Sequence, residues 1–297
     1  MKLRLGIFVL SLLLLPLAGF WISGSDWNEL SAEATNAVAY PAATLLTTLM
    51  LAGYILFVNH LVKLLTGSNP LKQQYDYLLS MAGAGAILAW LLAYLNLYAA
   101  SWTALTGNPA AQFLLDTPLL ALLAPAVLST RALLGSLPGA LKHLSQGIAI
   151  PAPSDETLAA SMAGIAVIGL LGGGAWPAQL SWLLWLAPLL LLTALQLMWQ
   201  ESTIFSGLAN GDWGRVVCAA LSGVIVANLT AIAYQANGGI LQINLFHPLL
   251  AQPGYALFGL LCLQLGDVIA EKWRGKQRGT MFRQKKKFPI PLIVKKG

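Results

Sequence analysis

The chain has 297 residues, 57% of them hydrophobic and only 9% charged, with a net charge of +6 and a mean hydropathy of +0.70. A soluble domain carries roughly 25% charged residues, so a chain this poor in charge cannot cover a globule with polar surface. A soluble domain, a disordered chain and a collagen-like fibre are excluded, and two cysteines cannot make a disulfide scaffold.

A helix crossing the hydrocarbon needs about 20 mostly apolar residues. Eight runs meet this requirement, at 5–22, 40–60, 78–99, 113–130, 157–174, 181–199, 215–234 and 253–270. They are continuous, as in LLWLAPLLLLTAL at 183–195, and lack the alternation of barrel strands. The predicted fold is all-α, a polytopic helical membrane bundle over residues 1–271 followed by a basic tail at 272–297.

The first run, with its basic start and apolar centre, also fits a signal peptide. Leu17-Ala18-Gly19 is a poor cleavage site with bulky Phe20 and Trp21 behind it, so a retained anchor is expected. Cleavage would leave seven spans. Segment 23–39 holds Asp26, Glu29 and Glu33 and suits one short surface helix. The third run contains MAGAGA at 81–86, a close-packing signal. Asp116 opens the fourth, where the helix dipole favours an acid. Beyond it, Leu133, Leu134, Leu137, Leu141 and Leu144 recur at helical spacing opposite Arg131, Lys142 and His143. This predicts an amphipathic helix near 131–146 lying at the membrane interface and bent at Pro138. The alternative is a continuation of the fourth span. Ser154, before Asp155 and Glu156, starts the fifth span, which carries Ala159, Ala163 and Gly164, and the seventh carries Ala219 and Gly223.

With eight spans, all seventeen Lys and Arg fall on one side of the membrane. Both termini are therefore expected in the cytoplasm, and a bacterial inner membrane fits this asymmetry. Trp21, Trp27, Trp102 and Trp176 near one set of boundaries, and Trp199, Trp213 and Trp273 near the other, form an interfacial belt, while Trp90 is a packing residue. The tail holds ten basic residues and no acid, and Lys285, Lys286 and Lys287 are expected to meet anionic lipid headgroups. Its alternative role is a docking strip for a cytoplasmic partner. No nucleic-acid reader is expected.

Ionisable groups at membrane depth are the place to look for function. Asp267, near the end of the eighth span, is expected to pair with Lys272 or Arg274 at the interface. The alternatives are a cation or proton site, or a buried pair with Arg215. A cytoplasm-facing polar group comprises Asn59, His60, Tyr75, Asp76, Tyr77, Gln200, Glu201, Asp212 and Arg215. It either lines one cavity or is a set of ordinary loop-edge residues, and Gln196 shares a helical face with Gln200. On the far side Tyr94, Asn96, Tyr98, Asn228, Thr230, Asn244 and His247 form an uncharged group. Asn96 and Asn228 need partners across helix interfaces.

Enzyme readings fare poorly. Ser222 lies roughly 10 Å from one membrane edge, and His247 lies beyond the other, so no dyad forms. His60, His143 and His247 do not offer a haem two ligands at one depth. Cys218 and Cys262 stand alone in their spans, and Gly172-Gly173-Gly174 lacks the following Lys of a phosphate loop. No catalytic residue, metal site or cofactor is assigned. The preferred expectation is a non-catalytic subunit, scaffold or assembly factor of a larger envelope complex, with a membrane-protein partner or a second copy of itself. A transporter or channel for a small or lipidic substrate is the first alternative, and a lipid-modifying membrane enzyme the second.

Overall fold

In lipid an apolar run satisfies its backbone only by coiling on itself. In the computed structural model, which describes residues 36–104, 109–137, 144–151 and 153–273, the runs do so. Seven helices among the described residues are long and apolar enough to cross a membrane. They are α1 (Asn36–Thr66), α2 (Tyr75–Ala99), α3 (Pro109–Gly135), α4 (Asp155–Ala175), α5 (Pro177–Met198), α6 (Gly214–Ala236) and α7 (Ala251–Trp273). The predicted span at 5–22 and the tail beyond Trp273 lie outside the described residues.

The connections make the bundle up-and-down. After α2, strand β1 (Trp102–Ala104) pairs antiparallel with β2 (Leu241–Ile243), which follows α6. Trp102 lies opposite Ile243, Thr103 opposite Gln242 and Ala104 opposite Leu241. This ribbon marks one end of the bundle. At the opposite end Trp213 N donates to Leu144 O, which ties the chain leaving α3 to the start of α6. Lys63, Lys72, Arg131 and Arg215 all belong to this second end, called the arginine end below.

Helix α3 is central and packs against α1, α2, α6 and α7. Its Ala124, Ala126 and Val127 are buried in a core with Leu51, Met81, Ala219 and Leu261. Small residues set the closest crossings. A Cβ on Gly223 of α6 would sit 2.5 Å from Gly259 N on α7, and one on Gly259 would sit 2.8 Å from Gly223 Cα. On the far edge α4 packs chiefly on α5, where a Cβ on Gly169 would lie 2.7 Å from Leu183 O and one on Gly173 would lie 2.6 Å from Leu184 Cβ. Gly172 and Gly173 of the glycine run belong to this hairpin contact.

Two expectations need correction. The interfacial helix predicted near 131–146 does not begin at 131, because α3 continues to Gly135. Leu133, Leu134 and Leu137 are buried against Val58, Leu61, Val62 and Leu65 of α1. A leucine stripe at helical spacing suits an interface and a bundle face equally. Here α1 runs past residue 60 to Thr66 and supplies the partner. Residues 138–143 lie outside the described set. Asp116 is also not a first-turn residue, because α3 starts at Pro109 and places Asp116 about two turns inside the helix.

Candidate functional site

Arg131 on α3 and Arg215 on α6 line one cavity of about 430 Å³ at the arginine end. Among the described residues Ala132, Gly135, Ser145, Asp212, Gly214 and Cys218 also line it. The roof is the 144–150 segment, laced to the loop before α6. Gly147 N donates to Gly211 O at 2.9 Å, Ile150 N to Leu208 O at 2.9 Å, and Trp213 Nε1 to Ile148 O at 2.9 Å. Two glycines make this contact feasible. Gly211 has φ +75°, and a Cβ there would lie 2.5 Å from Gly147 O, while a Cβ on Gly147 would strike the Trp213 ring. Only a residue without a side chain occupies the left-handed region at no steric cost.

The two guanidinium groups differ in their partners. Arg215 Nη2 donates to Asp267 Oδ2 at 2.6 Å, joining α6 to α7. With Arg215 35% exposed and Asp267 19% exposed, solvent screens the pair, which contributes on the order of 1 kcal/mol or less. Arg131 has no carboxylate bonded to it among the described residues, and its Nε is buried without a partner, as is Arg215 Nε. A buried donor left unmade costs about 1–3 kcal/mol, more when charged. Asp212 makes no salt bridge to either arginine: its Oδ1 accepts from Gly214 N at 2.9 Å and caps α6, and its carboxylate remains a negative charge in the same wall. The cavity thus combines two guanidinium groups with the positive end of the α6 dipole. Arg131 also sits near the last turn of α3, where a cation is favoured.

The predicted polar group at this end separates. Arg215 and Asp212 reach the cavity, but His60 on α1, Asp76 in the first turn of α2 and Gln200 are exposed and do not line it. Gln200 holds φ +55° in the turn after α5. Glu201 is buried, and its N–H closes that turn on Gln196 O at 2.9 Å. Asn59 donates to Ser129 Oγ at 2.9 Å between α1 and α3. Asp267 takes the cross-helix pairing with Arg215. The side chain of Lys272 and all of Arg274, its expected partners, lie outside the described residues.

At the ribbon end the uncharged group holds loops and helices in place. Asn96 Oδ1 accepts from Ser101 N at 3.0 Å and Trp102 N at 3.3 Å, and its Nδ2 donates to Trp102 O at 2.8 Å. Asn244 Nδ2 donates to Ala100 O at 3.1 Å. His247 Nδ1 accepts from Leu249 N at 3.2 Å and caps the short turn Pro248–Leu250. Asn228 and Gln252 exchange amide bonds at 2.8 and 3.2 Å across α6 and α7. Asp116 accepts from the Tyr40 hydroxyl at 2.7 Å, joining α3 to α1. Ser222 bonds back to Cys218 O at 2.8 Å within its own helix. No group of three or more His, Cys, Asp or Glu that could hold a metal occurs among the described residues.

Sequence reasoning used Arg131 as a topology marker and missed it as a cavity residue, together with Ser145 and Cys218. The signal for Arg131 was its place opposite a leucine stripe that the extended α1 buries.

These features define a multi-span helical membrane protein with a charged cavity at one end of its bundle. No protein-family model matches the chain, and no curated protein or solved structure is significantly similar to it.

Proposed function

We propose that the chain is a non-catalytic membrane component, acting as a subunit, scaffold or assembly factor of a larger envelope complex. The observation that supports this is how its polar side chains within the spans are engaged. Tyr54 with Thr130 and Asn59 with Ser129 join α1 to α3. Trp90 with Thr117 joins α2 to α3. Gln264 donates to Thr193 at 2.8 Å and to Gln196 at 2.7 Å, joining α7 to α5. Each such bond contributes only about 0.6 kcal/mol in a bilayer. Their joint effect is to specify which helix faces which, as a framework requires.

Helix α4 is the edge of that framework. Its outward side carries Ala160, Gly164, Ile168 and Leu171, all exposed. A Cβ on Gly164 would meet nothing within 4 Å. Small residues four apart admit the close approach of another helix. Purification in mild detergent is expected to recover a stoichiometric membrane-protein partner that Gly164→Leu releases without changing the thermal stability of the isolated chain. Recovery of the chain alone from both proteins counts against the scaffold. The same reading sets the chain in a bacterial inner membrane with both ends cytoplasmic. Support comes from the gathering of Lys63, Lys72, Arg131 and Arg215 at one end.

A second reading, transport of a small or lipidic substrate, draws its support from the arginine-lined cavity. Uptake of labelled phosphate into proteoliposomes, lost with Arg131→Gln, would favour it over the scaffold.

A further inference from the structure

We propose that the cavity between α3, α6 and the 144–150 segment binds one phosphate-type oxyanion, with Arg131 as its anchor and Arg215 as the second donor. The site stands whether the chain is a scaffold or a carrier.

Three observations converge. Arg131 and Arg215 come from different helices yet line the same opening. A guanidinium does not shed its proton to escape burial, so its charge must be met by a counter-charge. Asp267 bonds Arg215 and also lies close enough to act on the charge of Arg131, but one carboxylate serves both guanidinium groups and none is bonded to Arg131 among the described residues. Both Nε atoms are buried donors without acceptors. A tetrahedral oxyanion presents several acceptors at once and suits the planar guanidinium fork.

The wall supplies the rest. Gly214 and Arg215, at the start of the 23-residue α6, lie in the lining, so the positive end of that helix opens on the cavity. Ala132 and Gly135 leave a small-residue wall where a glycerol or other ester arm would pass. A volume of about 430 Å³ leaves room around a phosphate for such an arm. The cavity sits where α3 ends and α6 begins, and the ends of spans are where a bilayer of about 30 Å hydrocarbon places its headgroups. The ligand is therefore a phosphate group, either that of an anionic phospholipid or a free ion.

Cys218 serves as a reporter, because it is 6% exposed and lines the cavity, whereas Cys262 is 0% exposed and lies in the core. The test uses the full-length chain, delipidated in detergent or purified gently from membranes. In delipidated protein, inorganic phosphate is expected to slow maleimide labelling of Cys218. In gently purified protein, native mass spectrometry is expected to show one retained phosphatidylglycerol. Either result supports the site, the first assigning the free ion and the second the headgroup.

In both arms Arg131→Gln is expected to weaken the effect about tenfold. Arg131→Lys, which keeps the charge and loses the fork, should fall between, and covers the case in which the glutamine variant fails to fold. Lys63→Gln, an exposed charge at the same end, should change nothing. Absence of both effects in the native chain overturns the proposal. So does an Arg131→Gln protein that behaves as native, or a loss in Lys63→Gln equal to that in Arg131→Gln.

Discussion

Both ends of the bundle carry polar side chains and use them differently. At the ribbon end Asn96, Asn244 and His247 each bond a nearby main-chain group, and Trp185 Nε1 donates to Ser101 Oγ at 3.1 Å while its ring stacks on Trp102. At the arginine end Asp212 caps a helix and Asp267 takes one arginine, but Arg131 faces a cavity with a buried donor unmade. Polarity within a span does not mark a site by itself. What distinguishes the second end is a pair of guanidinium groups whose Nε donors the fold leaves unbonded at a cavity.

That contrast can be broken in graded steps. The largest effect is expected where neither end is involved. Gly223→Leu drives a side chain into the α7 backbone at the Gly259 crossing and should cost about 3 kcal/mol or more, read as loss of the monodisperse peak in detergent. Gly211→Ala strains a left-handed residue and pushes its Cβ into Gly147 O. It should cost about 1–3 kcal/mol and speed labelling of Cys218 by opening the roof.

Asn96→Ala tests the ribbon end. It removes three bonds to the β1 turn and should lower thermal stability by about 1–2 kcal/mol, leaving phosphate protection of Cys218 unchanged. A change in protection would mean that the two ends are coupled. The smallest effect sharpens the comparison from the other side. Asp267→Asn releases Arg215 from its ion pair. It should lower stability by about 1 kcal/mol or less and raise phosphate affinity about threefold, since the freed guanidinium turns to the ligand. Reduced affinity would show that Asp267 positions Arg215 and does not compete for it.

Much of the fold was legible residue by residue. The runs from 40 onward all became helices, and the small residues at Ala219 and Gly223 became a crossing. The β1–β2 ribbon was not legible, because three-residue strands have no periodicity to detect. Gly147 and Gly211 gave no signal either, since each is required only by the other's backbone. Within the site, Arg215 and Asp212 were in the predicted polar group, whereas His60, Asp76 and Gln200 share its depth and point elsewhere. Depth follows from position along a helix. Azimuth around it depends on how far the helix extends and what it packs against.

The sequence alone determined that this is a helical membrane bundle, where most of its spans lie, and that Lys63, Lys72, Arg131 and Arg215 share one end of it. Transfer into lipid is close to a sum over single residues, so local composition suffices for it. Only the tertiary structure decided that Arg131 and Arg215 share a cavity, that Asn228 meets Gln252 across α6 and α7 while Asn96, expected to reach another helix, binds its own following turn, and that the leucines after Arg131 pack on α1. Partnership between side chains is a property of pairs, set by the close approach of helices far apart in the chain.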